Sequence, residues 1–264
     1  MANSKKNQAE SKESETSWGG VANWYDDLLE SGEGTYQSDL ILPNVLRLLE
    51  IKSGQSVLDL ACGQGFFSRE FFKVGAAVSG SDISPNLIAL AQKNSPKNIE
   101  YFVAPADKLV FAKSESKDAV VCILAIQNIE NAPAVLSEAF RVLKKGGKFL
   151  MVMNHPTFRI AKRSSWGFDE KLKIQYRRLD EYISESKTEI AMHPGSDPAS
   201  ATVSFHHPLQ YYFKALYKAG FLVSRLEEWN SGKTSQPGPR AGAENKARSE
   251  FPLFLTLEAR KPLR

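Results

Sequence analysis

The run Val57 to Ser68, VLDLACGQGFFS, constrains the fold more than any other stretch of this chain. An apolar strand runs into Asp59, Gly63 and Gly65, and a helix opens at Phe66 and Phe67. Glycine tolerates positive φ and close backbone approach, and a helix N-terminus presents free N–H groups. Strand, glycine turn and helix in that order open a βαβ unit with a ligand over the turn. Asp59 narrows the choice of ligand. A pyrophosphate above the glycines is repelled by a carboxylate so close, and a dinucleotide fingerprint wants Gly or Ala where Ser68 stands. A ligand with a cationic amino-acid end is attracted instead.

The following segments repeat the alternation of strand and helix. Ala76 to Gly80 reads as a second strand, and Asp82 at its carboxyl end is placed to accept hydrogen bonds from both hydroxyls of a ribose. Ser84 and Pro85 suit the N-cap and first position of a helix PNLIALAQKN, so Ser84 can cap while Asp82 binds. Ile99 to Val103 is a third strand leading to Ala106-Asp107-Lys108-Leu109. Asp118 to Ile123, DAVVCI, is a β-branched run and therefore a strand buried on both faces. It continues into Leu124-Ala125-Ile126-Gln127-Asn128-Ile129. Apolar residues at helical spacing fill Ala134 to Leu143; the lysines and glycines of 144–148 suit the helix end, and Phe149 to Met153 is a fifth strand.

In this register the chain resembles the class I S-adenosylmethionine (SAM)-dependent methyltransferases, specifically small-molecule members of the type 11/25 kind with a ubiquinone/menaquinone-methyltransferase-like core. Val57 to Gly65 is similar to their first motif, 106–109 to their A-D-x-L step, 124–129 to the loop beside the transferring methyl, and Leu143 to Leu150 to their L-K-K-G-G-x-F/L-L step. Ala219-Gly220-Phe221 resembles the A-G-F that precedes strand six. The resemblance covers about 18–155 and resumes near Pro208. It implies an α/β fold: a Rossmann-like, doubly wound seven-stranded sheet with an antiparallel last strand. It also implies SAM as cofactor, with S-adenosylhomocysteine as product. Implied cofactor contacts are Tyr25, Tyr36, Asp59, Ala61, Cys62, Gly63, Gly65, Asp82, Ile83, Ala106, Asp107, Lys108, Leu124 and Ala125. Among them Asp107 faces the adenine amine, while Tyr25, in a W-Y-D segment, and Tyr36 cover the methionine end. Many relatives carry a His-His pair where this chain has Gln127-Asn128, amides that orient a ligand without titrating.

Organisation follows from composition. Residues 1–17 are polar and mixed in charge, as expected of a disordered tail. Residues 18–155 and 208–264 are expected to form the methyltransferase domain, with 156–207 inserted after strand five as a small antiparallel β lid. Strand-like runs there are Leu172 to Tyr182, Thr188 to Met192 and Thr202 to Phe205. Beyond the helix Leu209 to Gly220, Leu222 to Trp229 and Leu253 to Ala259 read as strands six and seven. Asn230 to Glu250, rich in Gly, Pro, Ser and charge, reads as a long loop. Substrate contacts are expected from Gln127, Asn128, Arg159 and His206. His155, just past strand five, is the candidate general base, with His206 and His207 in that role if the lid folds back. Arg159, Arg163, Arg177 and Arg178 suit an acidic acceptor or a solvated surface. Trp166, Phe168 and Tyr176 either line an aromatic acceptor pocket or form the lid's own core.

At 264 residues and 42% hydrophobic content, the chain has enough material for one such domain with an insertion. Its net charge of +4 does not call for nucleic acid, and two cysteines give neither a disulfide framework nor a zinc site, so no metal is expected. No apolar run approaches a membrane span or a signal peptide, which makes the cytoplasm the expected compartment. Nothing in the sequence reports the oligomeric state. The expected function is methyl transfer from SAM to an O, N or C atom of a small-molecule acceptor by in-line displacement. An RNA methyltransferase is the competing enzyme. The D/N/S-P-P-Y/F/W motif of DNA amino-methylating enzymes is absent after strand four, and Cys62 and Cys122 are not placed for cytosine-C5 chemistry. A non-catalytic SAM-fold binding protein is opposed by Asp59, Asp82 and Asp107 in register.

Overall fold

The computed structural model describes residues 34–191 and 201–263. The tail, the W-Y-D segment with Tyr25, and Met192 lie outside the described residues. Seven strands form one sheet: β1 (Ser56–Leu60), β2 (Ala77–Asp82), β3 (Glu100–Val103), β4 (Lys117–Ile123), β5 (Leu143–Asn154), β10 (Leu222–Trp229) and β11 (Phe254–Arg260). Their order is β10-β11-β5-β4-β1-β2-β3. All neighbours are parallel except β11, which runs antiparallel to both β5 and β10. The expected fold class is therefore observed, last strand included.

Side-chain alternation along the strands decides which helix covers which face. Leu58, Leu60, Val120, Cys122, Phe149, Met151, Leu255 and Leu257 point to one side. There they pack on Leu136 and Ala139 of α4 (Ala132–Val142) and on Tyr212 and Leu216 of α5 (Leu209–Ala219). Val57, Val121, Ile123, Leu150 and Val152 point to the other. They meet Val45 and Leu48 of α1 (Leu42–Leu49), Phe67 and Phe71 of α2 (Phe66–Lys73), and Ile88 and Ala91 of α3 (Pro85–Asn94). Burial on both sides is why β4 reads as an unbroken apolar run. α3 begins where its cap requires: the Ser84 hydroxyl accepts from the Leu87 N–H at 3.3 Å, and Pro85 takes the first position.

Two buried lysines close helix ends on opposite faces. Lys148 donates to the Leu48 and Leu49 carbonyls at the end of α1, and Lys261 to those of Phe140 and Leu143 at the end of α4. Each places a cation where the helix dipole is negative.

Two stretches differ from expectation. α4 stops at Val142, and 144–147 lie within β5 rather than capping the helix. Leu143 already pairs with Lys117; the register then slips before Ala119 meets Lys148, and Gly146 takes φ +76° in the extra length. Second, the supposed loop 230–250 contains a helix, α6 (Ala241–Glu250), packed on the strand Ile174–Leu179. Only Ala247 of α6 is buried, so no apolar stripe announces the helix. It is anchored from its ends. Phe251 lies edge-on to Phe158 and Trp166 at centroid distances of 5.4 and 5.5 Å, and Arg240 sits 4.4 Å over the Phe168 ring.

The inserted region forms two hairpins rather than one sheet: β6 (Ser164–Asp169) with β7 (Ile174–Leu179), and β8 (Ser186–Ala191) with β9 (Ala201–His206). β9 rests on a 3₁₀ turn, Ile126–Asn128, that follows β4. This contact brings the insertion to the carboxyl edge of the sheet, where open parallel sheets bind ligands.

Candidate active site

β1 ends in a tightly shaped turn. Ala61 and Gly63 take φ +52° and +57°, and Gly65 caps α2 at φ +85°. At the end of β4, Leu124 also has positive φ, at +55°. Non-glycine residues in this region are strained, and Ala61 and Leu124 both border one cavity. Gly65 does not reach it. A Cβ there would stand 2.4 Å from the Tyr101 hydroxyl, so this glycine makes room for a tyrosine rather than for a ligand.

The cavity has a volume of about 580 Å³, within the range that holds a cofactor-sized molecule. It gathers most of the residues expected to hold cofactor: Asp59, Ala61, Cys62, Gly63, Asp82, Ile83, Ala106, Asp107, Leu124 and Ala125, and it also takes Asn128. Lys108 is exposed and lies off this surface. Tyr36 lies elsewhere too, edge-on to Phe254 with the Lys233 ammonium 4.6 Å from its ring centroid. Sequence reasoning missed Gln64. Its side chain is fully buried against the cavity, and neither amide atom has a hydrogen-bond partner among the described residues. Its place between the two glycines was the available signal.

Among the described residues, four carboxylate side chains, Asp59, Asp82, Asp107 and Glu130, border this cavity, and no Lys, Arg or His does. Asp59 accepts from the Ser68 hydroxyl at 2.7 Å, and burial pushes its carboxyl up to about 7 against that hydrogen bond. Asp82 accepts from the Gly63 and Ser84 N–H groups at 3.0 and 2.9 Å, which ties the first turn to the second. Burial raises its pKa as well, the backbone donors partly offsetting the shift. Ile83, 55% exposed, offers an apolar face at the rim.

A second cavity of about 240 Å³ lies under the hairpins, bordered by Gln127 after β4 and Asn154 at the end of β5. Three of the four expected substrate residues, Gln127, Arg159 and His206, meet here. Gln127 donates to the Leu124 carbonyl at 2.6 Å, and its buried amide oxygen has no partner among the described residues. His206 bonds the Tyr182 carbonyl at 2.8 Å. His207 borders the same cavity, stacked on Tyr211 at 3.8 Å and 5°, with Nδ1 3.3 Å from a Glu185 carboxylate oxygen but poorly aligned for a hydrogen bond. Burial holds its pKa below the ordinary histidine value.

His155 borders neither cavity. Its Nε2 lies 2.7 Å from a Glu228 oxygen, and its Nδ1 accepts from the Thr157 N–H at 3.1 Å. Both ring nitrogens are thus committed to holding the turn after β5. Trp166, Phe168 and Tyr176 also stand off both cavities: Tyr176 lies across Gly167 on the partner strand, and the other two pack against α6 and its flanks.

A family model described as a methyltransferase domain matches residues 58–151. A demethylmenaquinone methyltransferase from Tropheryma whipplei is 34% identical over 113 residues, 42% of this chain and 46% of that protein. A ubiquinone biosynthesis O-methyltransferase from Xanthomonas oryzae is 32% identical over 106 residues, 39% and 44% of the two chains. The chain thus spans less than half the length of these curated relatives. The crystal structure of an S-adenosylmethionine dependent methyltransferase from Mesorhizobium loti superposes with a TM-score of 0.68 at 25% identity, covering 86% of this chain and 99% of that one.

Proposed function

We propose that this chain is a class I SAM-dependent methyltransferase, a reading supported by the methyltransferase domain matched over 58–151 and by the shared fold, and that it methylates a small-molecule acceptor. The observation that carries the reading is that every charged side chain bordering the larger cavity, among the described residues, is a carboxylate, beside a second cavity reached from the same β4 turn. The residues present fit SAM. Its ammonium and sulfonium suit a site with carboxylates and no cation, and its lack of phosphate removes the objection that Asp59 raises against dinucleotides. The unpartnered Gln64 amide adds a donor and an acceptor.

On this reading Asp82 holds the ribose hydroxyls with lone pairs left over from Gly63 and Ser84. Asp59 attracts the ammonium through the glycine turn, Ile83 lies against the adenine, and Asp107 reads its amine. When bound, SAM supplies a methyl carbon to the acceptor's lone pair, and the carbon–sulfur bonding pair returns to sulfur. The chain's task is then alignment and water exclusion. Gln127 and Asn128 set the acceptor from the β4 turn. His207, neutral at neutral pH and backed by Glu185, takes the proton a hydroxyl acceptor releases; it replaces His155, whose ring is committed elsewhere. We place the enzyme in the cytoplasm, where free Cys62 and Cys122 persist as thiols. Among the described residues no helix is long and apolar enough to cross a membrane.

Calorimetry with SAM and with S-adenosylhomocysteine tests the first cavity, and label transfer from SAM into a metabolite extract beside an RNA fraction tests the class of acceptor. Saturable binding of both and label in the low-mass fraction are expected. No heat with either, or label confined to RNA, overturns the assignment.

A further inference from the structure

The two cavities have opposite electrostatic character. Among the described residues, the larger is bordered by four carboxylates and no cation; the smaller is bordered by the guanidinium groups of Arg159 and Arg177 and by no carboxylate. From this segregation, and resting on the methyltransferase reading above, we propose that the acceptor is an anion whose carboxylate or phosphate lies between Arg159 and Arg177.

The surrounding arginines show that this pair is set apart. Arg163 is paired with Glu181, Arg178 with Asp180 at 3.0 Å, and Arg240 with Glu170. Among the described residues, neither Arg159 nor Arg177 has a carboxylate partner. Neutral groups hold them in place. Arg177 donates to the Phe158 carbonyl and to the Ser164 hydroxyl, each at 2.8 Å, with its guanidinium 5.0 Å from the Trp166 ring centroid. Arg159 donates to the Asn154 amide oxygen at 2.8 Å and lies 5.5 Å from the Phe254 ring centroid. These contacts orient two planar donor forks without neutralising them, an arrangement suited to a carboxylate or phosphate. The two cations also repel each other, so an anion between them gains from both. The unpartnered Gln127 oxygen and His207 nitrogens on the same cavity complete a polar wall for the rest of the acceptor.

One other anion is within the chemistry of the system, the carboxylate at SAM's own amino-acid end. The variants Arg159→Gln and Arg177→Gln separate the two sources. By calorimetry, SAM affinity is expected to stay within about threefold of wild type, because charge-assisted contacts in the acidic cavity are untouched. A loss of about tenfold or more would assign the arginines to SAM's carboxylate and overturn the proposal. Label transfer into an extract split by anion exchange is expected to yield product in the retained fraction, falling at least about tenfold in either variant. Label in the unretained fraction would overturn it. A third arm does not depend on SAM: benzoate and inorganic phosphate should raise the wild-type melting temperature and leave that of Arg159→Gln unmoved. If SAM does not bind wild type, the methyltransferase reading fails while this arm still decides the anion site. Arg159→Gln is the safer variant, since among the described residues its side chain makes one hydrogen bond, to a neighbouring side chain, whereas Arg177 also braces β6.

Discussion

Asp59 is the residue at which stability and ligand binding pull in opposite directions. Its carboxyl is fully buried and titrates near 7 in the folded protein, against 3.8 for an unburied aspartate. The folded-state value is raised, so the stability held below the unfolded value is lost as pH climbs through about 7. Integrated over titration, this one group costs the folded protein about 4 kcal/mol by about pH 8 and under about 2 kcal/mol at about pH 5. Asp59→Asn abolishes the titration and keeps an acceptor for the Ser68 hydroxyl. Its stability relative to wild type should therefore be about 2–3 kcal/mol better at about pH 8 than at about pH 5. In a chain of this size that is roughly 5–10 °C in Tm. Denaturant melts of both proteins at the two pH values measure it, and Asp82 is common to both, so its titration largely cancels. The same variant should bind SAM at least about tenfold more weakly, having lost the charge opposite the ammonium. Parallel stability curves for the two proteins across this range would refute the burial argument and leave Asp59 an ordinary carboxylate.

Other perturbations probe separate contacts. Gly65→Ala combines positive φ with a 2.4 Å approach to the Tyr101 hydroxyl, and should cost about 2–4 kcal/mol; Tyr101→Phe should recover part of that in a double-mutant cycle read by urea melts. Ser84→Ala removes the α3 cap and should cost about 1 kcal/mol by the same measurement, without changing acceptor turnover once SAM is saturating. Phe251→Ala should cost roughly 2–3 kcal/mol and loosen the β6–β7 hairpin, seen as faster amide exchange at Trp166 and Arg177 with SAM affinity retained.

Wherever local chemistry determines local structure, the sequence could be read directly. Ser84-Pro85 and the apolar spacing behind them place α3, and DAVVCI can only be a strand covered on both faces. Asp59, Asp82 and Asp107 converge because each sits at or just beyond the carboxyl end of a parallel strand, a consequence of topology that spacing alone conveys. Contacts between distant segments could not be read that way. α6 has one buried residue and is held by aromatics on another hairpin, so its own composition resembles a loop. That Arg163 is neutralised depends on Glu181, beyond the β6–β7 hairpin, and not on the arginine itself. His155 has the right position for a base and the wrong neighbours, and only Glu228, far along the chain on β10, reveals that.

Gln64, Gln127 and His207 share a property with a practical consequence. Each buries polar atoms that find no partner among the described residues, and each borders one of the two cavities. Such atoms carry a penalty on the order of 1–3 kcal/mol apiece, which a fitting molecule removes on arrival. The fold is therefore a sensor as well as a scaffold. An acceptor too weak or too slow to be caught by turnover would still announce itself by the heat the protein withstands, and a library of small acids could be sorted by melting curve before any product is known.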